Sequence, residues 1–118
     1  MNKIPEKSTK YDLEERTLKF AKDVRKYIKS LPKSISNFED SKQLIRSSGS
    51  IGANYIEANE ALSKKDFIMR LKISRKEAKE SIYWLKILSD DIHSGQALIK
   101  EATELKNILS TIIDKASK

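Results

Sequence analysis

The sequence predicts an all-α protein, an up-down-up-down antiparallel four-helix bundle, and three observations predict it. Four stretches carry hydrophobic or small residues at alternating steps of four and three, the seam that a helix turns toward its neighbours. Three Gly and two Pro leave little room for β turns, while 35% charged and 38% hydrophobic residues suit long amphipathic helices. The links between the stretches are short, which joins antiparallel neighbours. At 118 residues the chain is expected to form a single domain spanning 1–118, large enough for one core, with 1–10 a flexible polar arm.

In the first stretch Leu13, Thr17, Phe20, Val24, Tyr27 and Leu31 form the seam, so helix one is expected from about Tyr11 to Leu31, with Pro32 ending it. Lys19, Lys22, Lys26, Lys29 and Lys33 run down roughly the opposite face. Such a line reads either as a solvated face or as a stripe that binds a polyanion.

Helix two is expected near Asn37, where Ser36 and Glu39 have the spacing of a capping box. Leu44, Ser48, Ile51, Tyr55, Ala58 and Leu62 form its seam, flanked by Ile45, Gly49, Gly52, Ile56 and Asn59 on one side and Ser47, Ser50, Asn54, Glu57 and Ala61 on the other. Only Arg46, Ala53 and Glu60 remain for an outward stripe, so this helix is expected to be central. A glycine inside a helix costs about 1 kcal/mol relative to alanine, and close approach of another backbone is the expected offset at Gly49 and Gly52. The competing reading is a turn at Ser48 to Gly52 that splits the segment.

Ser63 and Asp66 repeat the capping spacing and open helix three, whose seam is Phe67, Leu71, Ser74, Ala78, Ser81, Leu85 and Leu88. A second line, Met69, Ile73, Lys76, Glu80, Tyr83 and Ile87, is apolar at four of its six positions. A bundle needs one seam per helix, so Met69, Ile73, Tyr83 and Ile87 are expected to face a partner outside it. Lys65, Lys72, Lys79 and Lys86, spaced by sevens, form a further basic line. His93, Ser94 and Gly95 mark the next turn, and Leu98, Ala102, Leu105, Leu109, Ile112 and Ala116 define helix four.

The block from Ser48 to Leu88 resembles a family of four-helix bundles encoded in intervening sequences of bacterial 23S ribosomal RNA genes, which also takes in the accessory protein of diversity-generating retroelements. The family hallmark is a Ser-Ile-Pro-Ala-Asn-Ile-Ala-Glu-Gly run, then Lys-Glu-Phe, then a helix carrying Arg-Ile-Ala and a later Glu. Ser50, Ile51, Ala53, Asn54, Glu57, Lys65, Phe67, Leu71, Ile73 and Glu80 match, and Lys72 stands where the family commonly has Arg. Gly52 replaces the Pro, Tyr55 and Ile56 replace Ile-Ala, and Ala58 replaces the Gly. The resemblance implies a homo-oligomer, a pentameric barrel; the unused seam of helix three argues for an oligomer but gives no stoichiometry.

The sequence offers little for catalysis or metal binding. With no cysteine there is neither a disulfide frame nor a thiolate site. Di-iron bundles need two Glu-x-x-His motifs, and the nearest approach is the single pair Asp90 and His93. His93, the lone histidine, is expected at the C-terminal end of helix three, where the helix dipole favours an imidazolium. Gly49 and Gly52 lack the strand and the Lys-Ser/Thr of a phosphate loop. No enzyme activity, cofactor or metal is expected. The N-terminus lacks the apolar stretch of a secretory signal, and the longest run without a charge, Ser47 to Ile56, is too short to span a bilayer, so a cytoplasmic protein with no membrane partner is expected.

Asn54, Glu57, Lys72 and Glu80 read as polar residues that fix helix register, with Asn54 and Glu57 expected near the level of Lys72. Tyr55, Tyr83 and Trp84 have faces that can stack on bases, although helical packing is the commoner use of aromatics at such spacing. The net charge is +7, and the excess is concentrated at 1–37 and 63–93, on helices one and three. Two functions compete. In one, an oligomer binds nucleic acid, RNA above all, through Lys19, Lys22, Lys26 and Lys29 with Lys65, Lys72, Lys79 and Lys86. In the other, the protein is a structural or protein-binding assembly that touches no nucleic acid. A shared exposed surface for the two lysine lines favours the first, and neutralisation of the lines by acidic groups favours the second.

Overall fold

A computed structural model describes the backbone at residues 3–89 and 93–118 and the side chains at 13–88 and 95–118. Four helices follow one another: α1 (Lys3–Ser30), α2 (Ile35–Asn59), α3 (Lys64–Ser89) and α4 (His93–Ala116). They pack as a four-helix bundle in which α2 touches α1 and α3, α4 touches α3 and α1, and the diagonal pairs make no contact among the described residues. Cross-helix partners give the directions. Glu14 meets Asn59 and Thr17 lies against Gly52, while Ser47 meets Ser81 and Ser74 meets Ile51, so sequence numbers fall on one helix as they rise on the next.

The core is the sum of the seams. Phe20, Val24, Leu44, Ile51, Leu71, Leu85, Leu105 and Leu109 are its largest wholly buried hydrophobic side chains. Four seam positions depart from the expected line, Phe67 and Ala116 by being only partly buried. Leu62 lies beyond the end of α2 and is fully exposed, because the helix stops at Asn59 and the chain is already reversing. At the end of α4 Ile113 is buried and Ile112 only partly so. An uncoiled helix of 3.6 residues per turn drifts against a 3.5-residue repeat, which moves the buried position along by one.

The helix ends follow local chemistry. α1 is helical from Lys3, upstream of the Tyr11 expected, and ends at Ser30, where the Leu31 amide still reaches the Ile28 carbonyl ahead of Pro32. The cap of α2 is Ser34, two residues before the expected Ser36: its hydroxyl accepts from the Asn37 amide at 3.1 Å. Asn37 supports that choice by donating its side-chain amide to the Pro32 carbonyl at 2.8 Å, which ties the turn together. Ser63 caps α3 as its spacing implies, accepting from the Asp66 amide at 3.0 Å. His93 begins α4 instead of ending α3, which removes the dipole argument made for it. Its side chain and residues 90–92, Asp90 among them, lie outside the described residues.

α2 runs unbroken through both glycines, so the turn reading of Ser48 to Gly52 is excluded. A Cβ on Gly52 would stand 2.7 Å from Thr17 Oγ1 and 3.0 Å from Thr17 Cβ, so the absent side chain is what lets α1 approach. Gly49 has no such contact. Its Cβ would meet only the end of Arg25 at 3.8 Å, an ordinary van der Waals distance.

Candidate nucleic-acid interface

Two polar layers join α2 to α3. The buried hydroxyls of Ser47 and Ser81 share a hydrogen bond of 2.9 Å, and Ser74 donates to the Ile51 carbonyl at 2.7 Å. Ser81 also lies 2.9 Å from the Glu77 carbonyl. Its single proton goes to that carbonyl when Ser47 is the donor, so both hydroxyls are satisfied. Serine and alanine in these seams let the two helices lie close, and the periodicity places Ser47 on a flank although it is fully buried.

At the edge of this interface Arg46 reaches across from the outward stripe of α2. It makes an ion pair with Glu77 at 3.2 Å and a short one with Glu80. The hydrogen bond to Glu77 is the main cause that raises the Arg46 pKa above its ordinary value, against the opposing effect of desolvation. Glu77 is buried, so Arg46 supplies the charge that makes its burial tolerable. Glu80, one of the polar residues expected to fix register, is thus bonded across this interface to Arg46. Asn54 is bonded to α3 as well: its Oδ1 accepts from Arg70 at 3.4 Å and its amide donates to the Ser50 carbonyl at 2.9 Å. Arg70 takes the place foreseen for Lys72, which is exposed, and Glu57 is exposed with no side-chain hydrogen bond among the described residues.

The link between α1 and α4 is a charged fork. Arg16 donates to both carboxylate oxygens of Glu101, at 3.0 and 2.7 Å, and reaches Glu104 at 3.2 Å.

Lys19, Lys22, Lys26 and Lys29 are all exposed on α1. Lys19 is paired with Asp23 at 2.6 Å, and this hydrogen bond is the main cause that raises its pKa. Lys22, Lys26 and Lys29 have no carboxylate partner among the described residues, and neither do Lys65, Lys72, Lys79 and Lys86, exposed on α3. The two lines do not converge. α1 and α3 are diagonal in the bundle, and each line lies away from the core, so one protomer presents two separate basic faces.

The second seam of α3 points outward. Met69, Tyr83 and Ile87 are 48, 58 and 43% exposed, and Ile73 is partly buried. Tyr83 packs edge-on against Trp84, with ring centroids 5.1 Å apart, and the Trp84 indole nitrogen is buried without a hydrogen-bond partner among the described residues. Tyr55 is buried in the core, which removes it as a stacking surface. No cluster of His, Asp and Glu that could hold a metal occurs among the described residues, and none of their helices is long and apolar enough to cross a membrane.

The sequence profile of the 23S rRNA-intervening sequence proteins matches residues 9–114. A similar solved structure is that of a protein of unknown function from the S23 ribosomal protein family of Bacteroides thetaiotaomicron VPI-5482, determined at 1.70 Å. It is 36% identical, the alignment covers 86% of this chain and 97% of that one, and the TM-score is 0.78. No curated protein matches.

Proposed function

This chain belongs to the 23S rRNA-intervening sequence protein family, and from that premise we propose that it is a non-enzymatic, cytoplasmic homo-oligomer that binds structured RNA through the basic faces of its helices. The observation that carries the reading is the run Lys22, Lys26 and Lys29: three exposed ammonium groups on one helix face, none engaged by a carboxylate among the described residues. Each phosphate that such a group neutralises releases condensed counterions, so binding is driven by charge and is not tied to base sequence.

Self-association rests on the outward stripe of α3. Met69, Ile73, Tyr83 and Ile87 cover a face that the bundle itself leaves in water, and a second copy is the partner we assign to it, in the ring of five implied by the family resemblance. The assembly repeats the lysine lines around one particle. It thereby compensates for their separation within a protomer.

Binding isotherms over a salt series test the proposal, with folded ribosomal RNA, duplex DNA and single strands as ligands. Affinity should fall steeply and linearly on logarithmic axes, with RNA bound best. Replacing Lys22, Lys26 and Lys29 by Gln should weaken every ligand and flatten the slope by about three contacts' worth, whereas Lys19→Gln should do little because Asp23 already holds that charge. Absence of binding at about 50 mM salt sinks the nucleic-acid reading and leaves the protein-assembly alternative, which the separation of the two lysine lines favours.

A further inference from the structure

The turn from α2 into α3 breaks two local rules at one place. Leu62 is completely exposed, although leucine is among the residues most often buried. Lys64 and Lys65 occupy the first turn of α3, where the positive end of the helix dipole disfavours cations, and Asp66 is the only acid there. Departures from local rules that coincide at one place mark it as a candidate for function. Here they meet around a single groove of about 900 Å³. Its lining is partly apolar, from Leu62, Ile68 and Met69, and partly basic, from Lys64, Lys65 and Lys72.

Lys65 and Lys72 have no carboxylate partner among the described residues, and Lys64 makes only a 3.3 Å hydrogen bond to the Lys118 carbonyl. We propose that this groove docks an acidic segment of another protein, anchored by apolar side chains on Leu62 and held by carboxylates against Lys65 and Lys72. Charge complementarity selects that occupant. An acidic segment neutralises both the lysines, which no carboxylate engages among the described residues, and the positive end of the helix dipole. The volume lies within the range of pockets that enclose a few side chains.

This inference goes beyond the proposed RNA binding and uses a residue that RNA binding does not need. Short fluorescein-labelled peptides serve as probes: one with Leu at helical spacing and Glu elsewhere, the same with Lys for Glu, and the same with Ser for Leu. Fluorescence anisotropy should show saturable binding of the Leu/Glu peptide alone. Leu62→Ser and the pair Lys65→Glu with Lys72→Glu should each weaken it about tenfold or more. Leu62→Ser alters an exposed turn residue, so its melting temperature and RNA affinity should match those of the wild type.

Equal affinity for the Glu and Lys peptides, or wild-type affinity in Leu62→Ser, overturns the proposal. So does a Leu62→Ser variant that sediments as a monomer where the wild type is an oligomer, since the groove is then a contact between copies. A wild type that binds the Leu/Glu peptide but no RNA leaves this inference standing and removes only the RNA reading.

Discussion

Single atoms decide how close the helices of this bundle can come. A methyl group on Gly52 meets Thr17, a short side chain whose Cβ cannot swing away, so α1 must shift. Gly52→Ala should therefore cost about 1–3 kcal/mol. Gly49→Ala adds the same methyl in ordinary contact with a flexible arginine, and should stabilise by about 1 kcal/mol because alanine favours the helix. Urea midpoints of the two variants should move in opposite directions. Both glycines were legible as a need for an offsetting contact; which one has it was not, because periodicity carries no interhelical distance. Tyr55 offers a pH test. Burial is the main cause that holds its phenol above the ordinary value of 10.0, with the Asn59 hydrogen bond opposing and Glu14 adding to the rise. In the unfolded chain the phenol ionises near 10.0, while in the folded protein it stays protonated beyond that. Its contribution is thus complete below the unfolded value and is lost as pH rises through the folded one. Tyr55→Phe should show a shallower loss of stability than wild type above pH 10.0, with the lysine contributions common to both.

At the scale of the helix, the 4-and-3 spacing identifies what each element buries, because burial acts on a whole face and leaves its mark at every turn. Leu13 to Leu31 on α1, Leu71 to Leu88 on α3 and Leu98 to Leu109 on α4 follow it. The signal fails where one bond decides. Ser34 prevails over Ser36 as the cap because Asn37 can also bind the Pro32 carbonyl, a choice that no hydrophobic pattern encodes. Glu77 lies beside the seam and is buried because Arg46, on another helix, reaches it; only the fold brings residues 46, 77 and 80 to one level. Asn54 meets α3 through Arg70, two residues from the lysine that the spacing suggests. Within the seams the spacing supports a severe prediction. Ile51 and Leu85 are completely buried, so Ile51→Asp or Leu85→Asp places an unpaired carboxylate in the core and should abolish folding. A soluble variant with a cooperative melt would contradict the seam assignment.

For the whole molecule the decisive fact is that α1 and α3 sit diagonally, so the lysine lines of one protomer face apart. Composition places the charge on the correct helices but cannot show this, since it depends on how four helices close. A flat ligand that touches one face therefore leaves the other in solvent, and only a second protomer or a ligand that wraps can use both. Under the proposed function, the outward stripe of α3 would link assembly to binding. Met69, Tyr83 and Ile87 are half exposed and add little to the protomer's own core, so replacing all three by Ser should leave its melting nearly unchanged while light scattering reports dissociation. RNA affinity should then fall as well, although every lysine is intact, because neighbouring protomers no longer hold their basic faces at high effective concentration. The salt slope should shrink with it, since fewer phosphates are engaged at once. If the triple variant dissociates yet keeps the affinity and slope of the wild type, each protomer binds alone and assembly serves another purpose. If it remains an oligomer, the interface lies elsewhere, and the exposed Leu18 of α1 and Ile45 and Ile56 of α2 are the next faces to change.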